Sequence, residues 1–359
     1  MRCRLISPRF LLVVSWVAVF AALIAPQAIA VAVAQVQVIA GAQSVDMGHQ
    51  ALAFLPNELW IHSGESVTWA FPTGEIHTVT FLRPSQVRPP FQVGCPGTTP
   101  TGSPATAATC VNSGILAGGA SYTVNFPTAG NFKLVCLVHS NMTGVVHVLS
   151  PAETLPHDQA FYNREARQTR SELLSDGARL SSRGTAIAER TFREHGENEK
   201  DDEGDHDGAS GNAVTVGIGE IVAPSGGGTS TVSVMRFLRG QIVVHVGQTV
   251  EWTNLDPVTP HTVTFGTEPA NPMPASPDVT ADSDGARHAV LVAPGLSTNS
   301  GFLNQEPQER IGLPQQQPGA VPPTYETRFR VTFMSPGVYK YICALHDDLG
   351  MKGTVKVIP

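Results

Sequence analysis

Charge is sparse in this chain: Asp, Glu, Lys and Arg make up 15% of its 359 residues, few for a cytosolic enzyme. What charge there is leans negative, 30 acids against 23 bases and a net charge of −7. That sign disfavours a role on nucleic acid, where cationic side chains supply the binding. Cysteine is scarce, five residues in all, so no dense disulfide framework is at hand. None is needed, because the length suits two domains of ~100–150 residues, each able to bury a core. Methionine is also sparse, seven residues, which argues against the Met-rich runs that pass metal ions along. Glycine (34) and proline (28) are plentiful, a mixture that suits short strands joined by many turns.

The N-terminus carries the one long apolar run. Arg2, Arg4 and Arg9 precede a stretch from Phe10 to Ile24, and small-residue sites follow at Ala28-Ile29-Ala30 and Ala32-Val33-Ala34. Residues 1–34 therefore read as an export signal. The competing reading is a retained anchor, since the apolar character runs on to Ala34 and reaches the ~20 residues of a spanning helix; only then would a membrane be a partner. Cleavage would remove three positive charges and no acid, taking the net charge from −7 to −10. The expected compartment is periplasmic, cell-surface or secreted.

One repeat organises the rest. Gly64-Glu-Ser-Val-Thr-Trp69 and Ile76-His77-Thr-Val-Thr-Phe81 return as Gly247-Gln-Thr-Val-Glu-Trp252 and Pro260-His261-Thr-Val-Thr-Phe265. Later, Phe126, Gly130, Lys133 and Cys136 recur at identical offsets as Phe333, Gly337, Lys340 and Cys343. These segments alternate apolar and polar residues with a period of two and read as half-buried strands. The expected domains are 35–150 and 213–359. Within them, residues 83–118 and 267–323, rich in Pro, Gly, Ser and Thr, read as long loops. Cys95 and Cys110 both lie in the first loop, and a disulfide between them is the economical reading, ahead of an extra metal site. Residues 151–212 read as a linker: helical in composition from Asp158 to about Phe192, interrupted by Gly177 and Gly184, then acidic and disordered from Glu194 to Asp207.

The chemistry lies after each late strand, in Cys136-x-x-His139-x-x-Met142 and Cys343-x-x-His346-x-x-x-x-Met351, each with a lone upstream histidine, His77 or His261. A thiolate and two imidazoles with a weak axial thioether form the blue-copper electron-transfer site, acceptable to both Cu(I) and Cu(II). Structural zinc prefers four Cys or His ligands over a thioether. On these motifs both halves resemble cupredoxins of the plastocyanin, amicyanin and pseudoazurin group, over roughly 36–150 and 213–359. The resemblance implies an all-β fold of two tandem Greek-key β-sandwiches joined by a partly helical, acidic linker. It also implies two copper ions, one held by His77, Cys136, His139 and Met142 and the other by His261, Cys343, His346 and Met351. Single electrons would pass through His139 and His346, the more exposed ligands in such carriers. Both insertions are longer than those of the small family members.

The expected function is thus an exported electron carrier, not an enzyme, serving a redox protein such as a cytochrome; the negative charge suits a basic partner. Two other readings remain. Copper storage or handling finds a hint in His195 and His206 of the acidic run. A two-domain copper oxidoreductase needs a further copper at an interface. No His-x-His step occurs, and Val135, Leu137, Ile342 and Ala344 flank the cysteines, which leaves a catalytic copper short of ligands. His62 and His245 occupy equivalent repeat positions and are the pair that could meet at an interface. His49, His147, His157, His195, His206 and His288 have no ligand-like spacing.

Overall fold

The computed structural model describes residues 35–89, 95, 97–106, 108–198, 212–222, 227–304 and 327–359. Each copy contributes a five-stranded sheet of the same order. In the first, Glu58–His62, Thr143–Leu149, Gly130–Val135, Thr80–Phe81 and Val111–Asn112 lie side by side; in the second, Gln241–His245, Lys352–Ile358, Gly337–Ile342, Thr264–Phe265 and Thr298–Asn299. Opposite them runs a single eleven-stranded sheet to which both copies contribute. Between the layers sit two matching cores, around Trp69 and Phe81 in one and Trp252 and Phe265 in the other. In each pair the rings meet edge to face, at 5.6 and 5.7 Å between centroids, an arrangement favoured by the ring quadrupole.

The large sheet is continuous because His49–Leu55 pairs antiparallel with Ser230–Leu238, Leu52 opposite Thr231 and His49 opposite Val234. The copies are therefore fused edge to edge. A tether alone does not join them. Both strands are buried on both faces: one face looks into a sandwich core, the other is covered by the helix α1, Gln159–Asn198. Asp158 caps this helix by accepting the Phe161 amide at 2.8 Å. Ala166, Leu173 and Leu180 repeat every seven residues and pack with Ala51, Ala53, Val232 and Val234 across the seam. Tyr162 fixes the near end, its hydroxyl accepting the Trp60 amide and donating to the Trp60 carbonyl.

Gly177 and Gly184 do not interrupt the helix, contrary to the expectation from sequence. They lie on its buried face, where a Cβ on Gly177 would come within 2.9 Å of His49 Cβ and one on Gly184 within 2.3 Å of Leu238 Cδ1. Tertiary packing overrides their poor helix propensity by letting the helix approach the sheet. The acidic run beyond Asn198 lies outside the described residues.

The insertions are more than loops. Ser103–Pro104 and Val111–Asn112 of the first, and Thr280–Ala281, Arg287–Leu291 and Thr298–Asn299 of the second, join the sheets. Each insertion also returns to bond the upstream histidine. His77 and Leu116 exchange both backbone hydrogen bonds, as do His261 and Leu303. The disulfide Cys95–Cys110 closes the first insertion. In the second, the Arg330 guanidinium meets Glu251, Asp282 and Asp284 at 2.7–2.9 Å, clamping the insertion to the sheet.

Two expectations follow. Gly177→Val should weaken the helix-to-seam contact by about 1–3 kcal/mol through overpacking, read as a lower urea midpoint. The second concerns the Arg330 clamp. Burial would raise Asp282, but the Arg330 and His288 hydrogen bonds and charges outweigh it and hold its carboxyl down. Bonds from Arg330 chiefly, against slight burial, hold Asp284 down as well. Depressed carboxyls stabilise the fold above their unfolded value near ~4, and that contribution is lost as pH falls through the folded values. Arg330→Met should therefore lower the melting temperature at pH 7. The cost is on the order of 1 kcal/mol, discounted for the solvent around Asp284. Its difference from the parent should shrink as thermal melts are repeated from pH 5 downwards.

Candidate metal centre

In each copy the late strand ends at a cysteine and the following loop turns straight back. The Cys136 amide donates to the Met142 carbonyl at 2.9 Å, and the Met142 amide to the His139 carbonyl at 3.1 Å. The longer second loop closes in the same way, from Cys343 to Met351 and from Met351 to His346, both at 3.1 Å. This folding gathers His77, Cys136 and His139 into one cluster and His261, Cys343 and His346 into another, the ligand-type atoms of each within 4.8 Å of one another. The Nδ1 atoms face each other at 3.2 Å in the first cluster and 3.1 Å in the second. Sγ of Cys136 lies 3.8 Å from His139 Nδ1, and Sγ of Cys343 lies 3.4 Å from His346 Nδ1. Met142 and Met351 are fully buried at the ends of the loops. Among the described residues, only these two clusters bring three such groups together.

The sulfur atoms are prepared as anions. The Thr78 and His139 amides donate to Cys136 Sγ at 3.4 Å, and the Thr262 amide does the same for Cys343. Burial would raise each thiol, yet the neighbouring histidines, by hydrogen bond and charge, bring both well below the usual thiol range. Burial alone would likewise lower His139, but Cys136 and Glu75 push it up to about 9. His261 reaches about 9 against burial because Asp256 and Cys343 face it. A thiolate and two imidazole nitrogens converging in a water-poor pocket suit a copper ion. Zinc would look for a fourth Cys or His, and none joins either cluster among the described residues.

The hydrogen bonds behind the clusters repeat as faithfully as the clusters themselves. Thr78 Oγ1 accepts the Leu137 amide and contacts Thr80, whose hydroxyl donates to Asn112. Thr262, Thr264 and Asn299 do the same around the Ala344 amide. Sequence reasoning quoted the threonines but missed the asparagines. The signal was present in the insertions as the step Asn112-Ser113-Gly114, repeated as Asn299-Ser300-Gly301. Gly41 and Gly217 were also missed. Each lies at positive φ (79° and 67°) against the outer nitrogen of the upstream histidine.

The sequence-derived expectation of exposed loop histidines is not met. His139 is 1% exposed and His346 5%, because the two metal loops face each other across the copies. Glu75, itself 3% exposed, stands between them. Its Oε1 lies 3.3 Å from His139 Nε2 and its Oε2 lies 3.6 Å from His346 Nε2. Leu349 of the second loop seats over Gly74, where a Cβ would come within 3.0 Å of Leu349 Cδ2, and so brings His346 up to Glu75. Burial would raise the Glu75 carboxyl, but the hydrogen bond from His139 and the charges of His346, His139 and His77 hold it at about 2. His62 and His245 form no interfacial pair: His62 contacts the Glu153 carbonyl of the connecting segment, and His245 the Pro359 carbonyl of its own copy.

Adding a methyl group at Gly41 or Gly217 would place Cβ 2.3 Å from His77 Nε2 or 2.5 Å from His261 Nε2, in a backbone region unfavourable to L residues. Gly41→Ala and Gly217→Ala should each cost about 1–3 kcal/mol in urea unfolding of the metal-free protein. Each should weaken metal binding at its own cluster only.

A family model described as copper binding proteins, plastocyanin/azurin family, matches residues 41–149. No curated protein sequence matches the chain. Among solved structures, oxidised plastocyanin from Dryopteris crassirhizoma is 21% identical, covering 41% of this chain and 99% of its own, with a TM-score of 0.21. A purple cupredoxin from Nitrosopumilus maritimus gives the same identity, coverage and TM-score. A reduced amicyanin variant is 19% identical over 32% of this chain and 82% of its own, with a TM-score of 0.22. Residues 41–149, the first copy, thus match the plastocyanin/azurin family of copper-binding proteins, and the second copy repeats the strands and the His–Cys–His cluster of the first.

Proposed function

We propose that this chain is an exported carrier of single electrons with one copper in each cluster, cycling between Cu(I) and Cu(II). The observation that carries this reading is the twofold occurrence of a buried His–Cys–His cluster with matching inner geometry. His77, Cys136 and His139 would hold one ion and His261, Cys343 and His346 the other, with Met142 and Met351 as the weak thioether donors. Copper in such a set supplies a one-electron couple. The protein's own part is to keep the ligands fixed through the Thr–Thr–Asn shells, exclude water and stabilise each thiolate with backbone amides. Complete burial of all six groups favours a carrier over a handler that must release its ion.

Export is favoured by the Arg-flanked apolar segment of residues 1–34 and by the Cys95–Cys110 disulfide, a bond that persists in oxidising compartments. Among the described residues no helix is long and apolar enough to cross a membrane. The partner would be a redox protein such as a cytochrome, one with a basic face to match the chain's net negative charge.

Copper titration of the purified protein, followed by visible absorption and metal analysis, tests the reading. Two coppers per chain with an intense blue band are expected, and Cys136→Ser and Cys343→Ser should each abolish about half of the band. Colourless protein, or copper lost readily to a chelator, would overturn it.

A further inference from the structure

The two clusters lie in different copies, yet they share one acid. Glu75 precedes His77 by two residues and has no counterpart in the second copy, where Thr259 stands two residues before His261. It is nevertheless the group nearest the outer nitrogens of both loop histidines, at 3.3 and 3.6 Å. The first distance allows a weak hydrogen bond and the second is an ionic contact. A carboxylate as buried as this is tolerated only with compensating charge or donors around it. Here those donors are two rings whose inner nitrogens face the two proposed metal positions. The seam holds the arrangement: Arg236 bonds the Leu349 carbonyl of the second metal loop and the Asp46 carbonyl of the first copy, and Leu349 packs on Gly74.

We propose that Glu75 is a positioning residue that couples the two metal centres into one redox unit. The proposal rests on the reading of both clusters as copper sites. His139 and His346 are closed to outside partners by their burial and opened to each other through Glu75. The resulting path runs from one imidazole, across the carboxylate, to the other imidazole. When one electron passes between the centres, one copper goes from Cu(I) to Cu(II) and the other from Cu(II) to Cu(I). No bond forms or breaks, and Glu75 and both outer N–H groups are left as they were. The same fixed negative charge lies beside both centres in low-dielectric surroundings. It therefore favours the more positive, oxidised state of each and depresses both potentials together.

That double effect is the signature to measure. Copper-loaded full-length protein would be reduced stepwise in a spectroelectrochemical cell, as the parent and as the single-site variants Cys343→Ser and Cys136→Ser, each with and without Glu75→Gln. Glu75→Gln should leave the copper content and the circular dichroism unchanged and raise the potential of both single-site proteins. The expected size is at least about tenfold in the reduced-to-oxidised ratio, ~59 mV for one electron. A rise at the His139 site alone, or at neither, would overturn the coupling. So would a parent that holds three coppers and loses one on Glu75→Gln, since Glu75 would then be the ligand of an interfacial metal. A second measurement does not depend on that variant: the reduction curve of the two-site parent should depart from the sum of the two single-site curves, and equality would sink the proposal. A parent lacking any thiolate–copper band would instead overturn the proposed function, and the coupling with it.

Discussion

The pairing of His49–Leu55 with Ser230–Leu238 is the contact on which the rest of the molecule depends. It turns two sandwiches into one body with a shared sheet, and it sets the metal loop of one against the metal loop of the other. α1 completes the joint by covering the outer face of both strands with Ala166, Leu173 and Leu180. A flexible tether would have left the separation of the two centres to chance; a paired edge under a docked helix makes it a property of the fold.

Much of this was legible in the residues, and the reasons are specific. The His-Thr-Val-Thr-Phe and Cys-x-x-His motifs recur at matched offsets because each copy must build the same pocket from the same strands, so six of the groups in the two clusters could be named from the chain alone. Glu75 could not, since it appears once and its partners lie 64 and 271 positions away. The seam was hidden for another reason. Alternation reports a strand with one wet face, whereas the apolar run Ala51–Leu55 and the fully buried stretch Ser230–Met235 have none. The glycines of α1 misled because propensity describes an isolated helix, and these positions are governed by how closely the helix must approach His49 and Leu238.

The two copies agree most where chemistry is at stake and diverge where they meet. The Thr–Thr–Asn hydrogen bonds, the glycine behind the upstream histidine and the insertion leucine that bridges to its backbone are duplicated in both copies. The departures are Glu75, Asp256 beside His261, and Arg88, which donates to the Cys136 carbonyl of the first copy only. Asp256 and Arg88 each place charge near one cluster, and Glu75 stands beside both, so the electrostatic surroundings of the two pockets differ although their donors match.

The order of elements along the chain also bears on how the molecule assembles. The first copy emerges with the edge of His49–Leu55 open, and such an edge invites pairing with a neighbouring chain. Its proper partner, Ser230–Leu238, follows roughly 180 residues later, a long loop to close. α1 arrives in between and packs on the same strand. The helix can thus cover the apolar face of that strand before the second half arrives, while the edge itself waits for Ser230–Leu238.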